Sequence, residues 1–206
     1  MQVTRALAAA AVLCLAAPVI GHGQQPVVEH AEEAIATWAG HNYQHVLDAT
    51  LPLSVGDLPK TVEWMVCARV IPAFEPEFQL CLQKEYGGRV QGAYAAPRGA
   101  SVGAQLRALR KSHLTATADE LTGLIAIDRR TVNGPRPHLA KLAQDLEALT
   151  IPARLPNALV MDDTAYELEL RSQYGSQLRV TLSGSAKTNQ VIRWVDDAAR
   201  LLGQRR

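Results

Sequence analysis

Two cysteines, Cys67 and Cys81, lie in neighbouring segments that both alternate between apolar and polar residues, and this pairing constrains the chain more than any other feature. In TVEWMVCARVI (61–71), Val62, Trp64, Val66 and Val70 share one face of an extended strand, while Glu63, Cys67 and Arg69 share the other. In EFQLCLQ (77–83), Phe78, Leu80 and Leu82 share one face, with Gln79, Cys81 and Gln83 opposite. Folding the strands antiparallel about Phe74 sets Cys67 against Cys81, Val66 against Leu82 and Val70 against Phe78. A single register aligns both apolar faces and brings the sulfurs together. This predicts a disulfide that contributes about 3 kcal/mol on a chain-entropy argument. Redox-active pairs hold their cysteines two residues apart, which this pair does not.

The second constraint is a likeness between two hairpins. FQLCLQKEYGGRV (78–90) aligns without gaps on YELELRSQYGSQL (166–178), with identities at Leu80/Leu168, Leu82/Leu170, Tyr86/Tyr174 and Gly87/Gly175. Pairing Leu82 with Val90, or Leu170 with Leu178, centres the loops on Tyr86 and Tyr174. The glycine after each tyrosine can then supply the positive-φ residue a short hairpin needs. A strand precedes each hairpin, 61–71 in the first and ALVM (158–161) in the second. A helix follows each, SVGAQLRALRK (101–111) and TNQVIRWVDDAARLL (188–202). In the last, Val191, Ile192, Val195, Ala199 and Leu202 form an apolar stripe. Duplication of 61–112 as 157–203 is one reading; convergence of two amphipathic hairpins is the other.

Helical spacing appears elsewhere. From Val28 to Leu47 the apolar residues Ala31, Ala34, Ile35, Trp38 and Val46 keep it, with Glu29, Glu32 and Glu33 in the first turns. Pro52, Gly56 and Pro59 break the chain afterwards. Thr117 and Glu120 have capping-box spacing and predict a helix over 117–129, although LIAIDRR also suits a strand. A further helix over 137–149 carries Leu139, Leu142, Leu146 and Leu149. The order α-βββα-αα-βββα predicts an α+β fold. Two candidate βββα units, each an antiparallel meander followed by a helix, combine with extra helices into one domain over 24–206, its sheet covered mainly on one face.

The N-terminus has the form of an export signal. Arg5 precedes an apolar run from Ala6 to Ile20, and small residues follow at Gly21 and Gly23. The expectation is a signal peptide over 1–23 and an exported protein, periplasmic or extracellular. Cys14 does not fit acylation, because Leu13 stands where a small residue precedes a lipidated cysteine. Removing 1–23 leaves the even pair Cys67 and Cys81, the usage expected of an oxidising compartment. No other stretch is long and apolar enough for a membrane span.

Charge and aromatic content exclude some partners. Lys+Arg number 21 against 20 Asp+Glu, and Arg5 is the only charge in the first 23 residues, so the remainder balances. A neutral chain with 5% aromatics has neither the field nor the stacking surface of a nucleic-acid binder. Basic residues group at Arg107, Arg110, Lys111 and His113, at Arg129, Arg130, Arg136 and Lys141, and at Arg205-Arg206; solvated helix faces account for such groups.

Catalytic motifs are scarce. His41 and His45 stand four apart on the first helix with Asp48 three further on, a candidate zinc or copper site with two nitrogens and an oxygen. Asn42 stands where the zinc-protease motif requires a glutamate. Tyr174-Gly175-Ser176 lacks the flanking glycine of a nucleophile elbow, and Ser183 and Ser185 are four and two residues from Lys187 instead of three. Asp162-Asp163 and Asp196-Asp197 are adjacent pairs whose side chains diverge. Tyr86 and Tyr174, at hairpin tips, are the candidate partner contacts. Three readings follow. The first is a non-catalytic module that binds another exported protein or an envelope component. The second is a small exported hydrolase using His41, His45 and Asp48. The third is a carrier holding a small apolar ligand between sheet and helices.

Overall fold

The computed structural model describes residues 25–53, 57–133, 137–149, 164–184 and 189–203. Helix α1 spans Gln25–Thr50, followed by strands β1 (Val62–Ile71), β2 (Phe78–Glu85) and β3 (Val90–Pro97). Next come α2 (Val102–Ser112), α3 (Ala118–Thr122), β4 (Ile127–Val132) and α4 (Pro137–Glu147), then β5 (Ala165–Ser172), β6 (Gln177–Ser183) and α5 (Gln190–Gly203). The six strands form one sheet in the order β4-β3-β2-β1-β5-β6, with every neighbouring pair antiparallel. This is the expected α+β fold, an antiparallel sheet flanked by helices.

The Cys67–Cys81 register is as the sequence predicts. Val66 pairs with Leu82, Val70 with Phe78, and the two cysteines stand opposite each other and are disulfide-bonded. A bulge between Val62 and Trp64 changes the start of β1. The extra residue moves Val62 to the other face, where it packs with Met65, Cys67 and Leu53. Glu63, expected beside Cys67, reaches Lys84 Nζ at 3.4 Å, and Lys84 in turn holds Glu147 of α4 at 2.6 Å.

β1 lies inside the sheet and is buried along most of its length. On one face Val66, Ala68 and Val70 join Leu80, Leu82, Tyr166, Leu168 and Leu182 beneath α4 and α5, forming the largest core. α5 contributes Val191, Ile192, Trp194, Val195, Ala198 and Leu202; Ala199 of the expected stripe is only partly buried. Gly92 is where α5 comes closest, since a Cβ there would lie 2.5 Å from Leu202 Cδ2. Trp64 Nε1 donates to Glu147 and Trp194 Nε1 to the Leu142 carbonyl, so two indoles fasten α4.

The opposite face is polar and receives the C-terminal end of α1. Arg69, fully buried in the middle of β1, donates to Asp48, to Glu167 of β5 and to the Leu51 carbonyl. Gln79 donates to the Pro52 carbonyl and Arg129 to the Thr50 carbonyl, the latter at 2.9 Å. A helix leaves its last carbonyls unpaired and carries partial negative charge there; here three sheet side chains satisfy consecutive carbonyls. Leu47 and Leu51 then pack with Ala95, Val102, Leu106, Leu121 and Ile125, joining α1, α2 and α3 to this side.

Four expectations are corrected. The sheet, expected to be covered mainly on one face, carries helices on both, α4 and α5 over one and α1, α2 and α3 over the other. The helix expected over 117–129 is only α3, five residues long, with the capping box of Thr117 and Glu120 present. Residues 127–132 form β4 at the sheet edge, so LIAIDRR contributes a strand. Leu82 pairs with Gly92 instead of Val90, which centres the first loop on Gly87, whereas Leu170 pairs with Leu178 as expected. The positive-φ residues are Gly88 and Gly175, so in the first loop it is the second glycine that turns the chain.

β1 also shows how far the hairpin likeness reaches. Val66 pairs with both Leu82 and Leu170, Cys67 with Cys81 and Glu169, and Val70 with Phe78 and Tyr166. Aligned residues therefore stand level on the two sides of one strand. The helices that follow take opposite faces, α2 packing with α1 and α5 in the other core. Residues 158–161, expected as a strand, lie outside the described residues, as do 1–23.

Two outcomes follow. Arg69→Met is expected to lower the unfolding free energy by about 3 kcal/mol, because carboxylates and a helix-end carbonyl lose their donor. Urea unfolding checks this, and Arg69→Lys should recover only part, since one ammonium cannot reproduce the guanidinium fork. Cys67→Ala/Cys81→Ala is expected to cost about 3 kcal/mol in the same measurement.

Candidate functional site

The hairpin tips β2–β3 and β5–β6 lie at the end of the sheet where β1 begins. In the first loop Glu85 N donates to the Arg89 carbonyl and Gly88 N to the Glu85 carbonyl, each at 2.9 Å. In the second, Ser172 N donates to the Ser176 carbonyl and Gly175 N to the Ser172 carbonyl. Each three-residue loop closes over its own glycine in the left-handed region, which a β-carbon disfavours. Both loops are tied to the chain leading into β1. Tyr86 N donates to the Thr61 carbonyl at 3.1 Å and Gln173 N to the Glu63 carbonyl at 3.0 Å, while Gln173 Nε2 reaches the Pro59 carbonyl at 2.6 Å. The bulge at Glu63 thus anchors the second tip as well as bending the strand.

Tyr86 and Tyr174 project from these loops, 48% and 81% exposed. The two phenols lie close enough to influence each other. Partial burial, then the neighbouring Tyr174 hydroxyl, and finally the nearby Glu63 carboxylate push the Tyr86 phenol above its ordinary value of 10.0. Below them, Lys84 is held between Glu147 and Glu63. The hydrogen bond to Glu147 leads in raising the Lys84 ammonium, and the same bond leads in lowering the Glu147 carboxyl. The result is a pair of adjoining phenols on a rigid base. It presents aromatic surface and hydroxyls.

The candidate metal ligands do not converge. His41 Nδ1 donates to the Thr37 carbonyl at 2.8 Å, an i−4 bond along α1. His45 Nε2 meets Asp119 of α3 at 2.6 Å, and Asp48 accepts from Arg69 at 2.5 Å and from Gln44 at 3.1 Å. Each is committed to holding α1 or its neighbours. Among the described residues no group of three or more His, Cys, Asp or Glu could hold a metal ion.

The other candidates are equally dispersed. Ser183 ends β6, while Ser185, Lys187, Asp162, Asp163, Arg136, Arg205 and Arg206 lie outside the described residues. Arg110 lies 4.4 Å over the Trp38 ring and donates to the Ala116 carbonyl, and Lys111 pairs with Glu32. Arg129 and Arg130 close the ends of α1 and α5, Arg130 donating to the Gly203 carbonyl at 2.7 Å. Among the described residues, Arg110, Lys111, Arg129 and Arg130 therefore serve internal contacts. No helix among the described residues is long and apolar enough to cross a membrane.

Sequence reasoning missed the buried Arg69 cluster and a second one around Glu77. Glu77, almost fully buried, accepts from Tyr43 Oη at 2.6 Å and from Val102 N at 2.9 Å, joining α1 to the start of α2. Burial leads in raising the Tyr43 phenol, and the bond to Glu77 adds to it. A charged residue inside an otherwise apolar strand, as at Arg69, is a readable signal; Glu77 before β2 offers none. Comparisons with known proteins supply no analogue: no known family, no curated protein and no solved structure matches the chain.

Tyr174→Phe removes the hydroxyl partner of Tyr86 and is expected to bring that phenol back towards its ordinary value. An alkaline NMR titration of tyrosine ring carbons reads this directly, and an unmoved Tyr86 midpoint would show that the two hydroxyls are not coupled.

Proposed function

We propose that this chain is an exported, non-catalytic binding module that engages another exported protein or an envelope component through Tyr86 and Tyr174. The observation that carries the proposal is the adjacency of two exposed tyrosines, close enough to influence each other and fixed by backbone bonds to the start of β1. Tyrosine suits such a contact, because it offers apolar area and a polar tip with little side-chain freedom to lose. Both loops are short and braced, so little ordering cost remains to be met on binding. Export is supported by the charged, apolar and small-residue pattern of residues 1–23 and by the Cys67–Cys81 disulfide, a bond that persists in oxidising compartments.

The metal-dependent reading has less support, since His41, His45 and Asp48 are each drawn to a different partner. In the test, tagged protein with its disulfide intact is incubated with a native envelope fraction, and bound material is identified by mass spectrometry. The expected outcome is one reproducible partner, retained by Tyr43→Phe and lost by Tyr86→Ala/Tyr174→Ala with an unchanged thermal midpoint. A folded double variant that keeps the partner would refute the tyrosine contact. Recovery of the full-length chain from the cytoplasmic fraction with both thiols free would refute export.

A further inference from the structure

At the other end of β1, opposite the tyrosine tips, a cleft of about 450 Å³ opens between α1, the β1–β2 connection and the start of α2. That volume lies in the range of small-molecule sites. The cleft exists because its helical wall is built of small residues: Ala36, Ala39 and Gly40 on α1, faced by Gly103 on α2. Nothing lies within 4 Å of where a Gly40 β-carbon would be, so that wall is open. The floor carries the buried Glu77, both of whose oxygens are already used by Tyr43 and Val102 N.

Three residues around the cleft have no such commitments. Phe74 is 86% exposed, the most exposed large apolar side chain described, and it stands in a connection stiffened by Pro72 and Pro76. Arg107 and Glu75 both line the cleft, yet neither side chain makes a hydrogen bond or ion pair with any described residue, including each other. Two opposite charges that share a cleft without meeting leave room for a ligand carrying the complement of both. A simple anion would face the carboxylates of Glu75 and Glu77, and a simple cation would face Arg107; a zwitterion satisfies both walls.

We propose that this cleft binds a small amphipathic zwitterion of the amino-acid class, its carboxylate on Arg107, its ammonium on Glu75 and its apolar side group against Phe74. The guanidinium fork suits a carboxylate, and an aromatic ring held at the rim gains area when covered. The site is separate from the tyrosine pair and goes beyond the partner-binding reading.

Isothermal titration of the full chain with L-phenylalanine and with alanyl-phenylalanine tests it. Saturable binding of at least one is expected, with 3-phenylpropionate and 2-phenylethylamine, which each lack one charge, weaker by about tenfold or more. Arg107→Ala is expected to weaken binding by a similar factor, and Glu75→Gln to do so for the zwitterion but not for 3-phenylpropionate. Gly40→Leu should abolish binding by filling the cleft while leaving the thermal midpoint unchanged or raised, since glycine inside a helix is unfavourable. Absence of saturable binding at about 10 mM probe would overturn the proposal, as would affinity that survives both Arg107→Ala and Gly40→Leu.

Discussion

The architecture depends on how the C-terminal end of α1 is received. A long helix ending against a sheet brings unpaired carbonyls into a region where water is scarce, and such groups destabilise a fold unless donors meet them. Arg69, Gln79 and Arg129, from β1, β2 and β4, supply those donors to the carbonyls of Leu51, Pro52 and Thr50. The cost of placing Arg69 in the interior is offset by Asp48 and Glu167, so a single guanidinium joins α1, β1 and β5. With α1 fixed in this way, its other residues can do further work. Tyr43 holds Glu77 and thereby the first turn of α2, His45 reaches Asp119 at α3, and the alanine and glycine flank stands clear to form a cleft.

Local pattern carried the part of the fold that is local. The β1–β2 register was readable because cysteine placement and apolar alternation are independent constraints that agree on one solution. α4 and α5 were readable because their apolar stripes face a single core. The pattern failed at Ile127–Val132, a short edge strand whose residues are at best half-buried, so it lacks the alternation of a sheet interior. It failed at the bulge too, since one added residue at Glu63 moves Val62, just before it, to the other face without altering composition. In the first hairpin, two consecutive glycines left the turn position open between Gly87 and Gly88.

The candidate site was legible in its residues and not in its geometry. Tyr86 and Tyr174 are readable as equivalent tip residues, and both are exposed. Their adjacency depends on β5 docking beside β1, a pairing between segments 98 residues apart at Arg69 and Glu167, which no local spacing encodes. The same limit applies to His41, His45 and Asp48. Helical spacing correctly places them on α1, but their partners come from α3, β1 and the helix backbone itself. The cleft beside Gly40 was invisible for the opposite reason: a small residue on a helix reveals nothing about the neighbour that stays away.

The two sides of β1 are fastened differently. Towards β2 it is joined by a covalent bond and a short connection, so that half of the sheet is kept together even when hydrogen bonds fluctuate. Towards β5 it is joined by ladder bonds, side-chain packing and the Arg69–Glu167 pair, after a long excursion of the chain. That boundary divides the sheet into β5-β6 on one side and β4-β3-β2-β1 on the other. Tyr86 belongs to one portion and Tyr174 to the other. The phenol pair therefore straddles that boundary, and it exists only where β1 and β5 are paired.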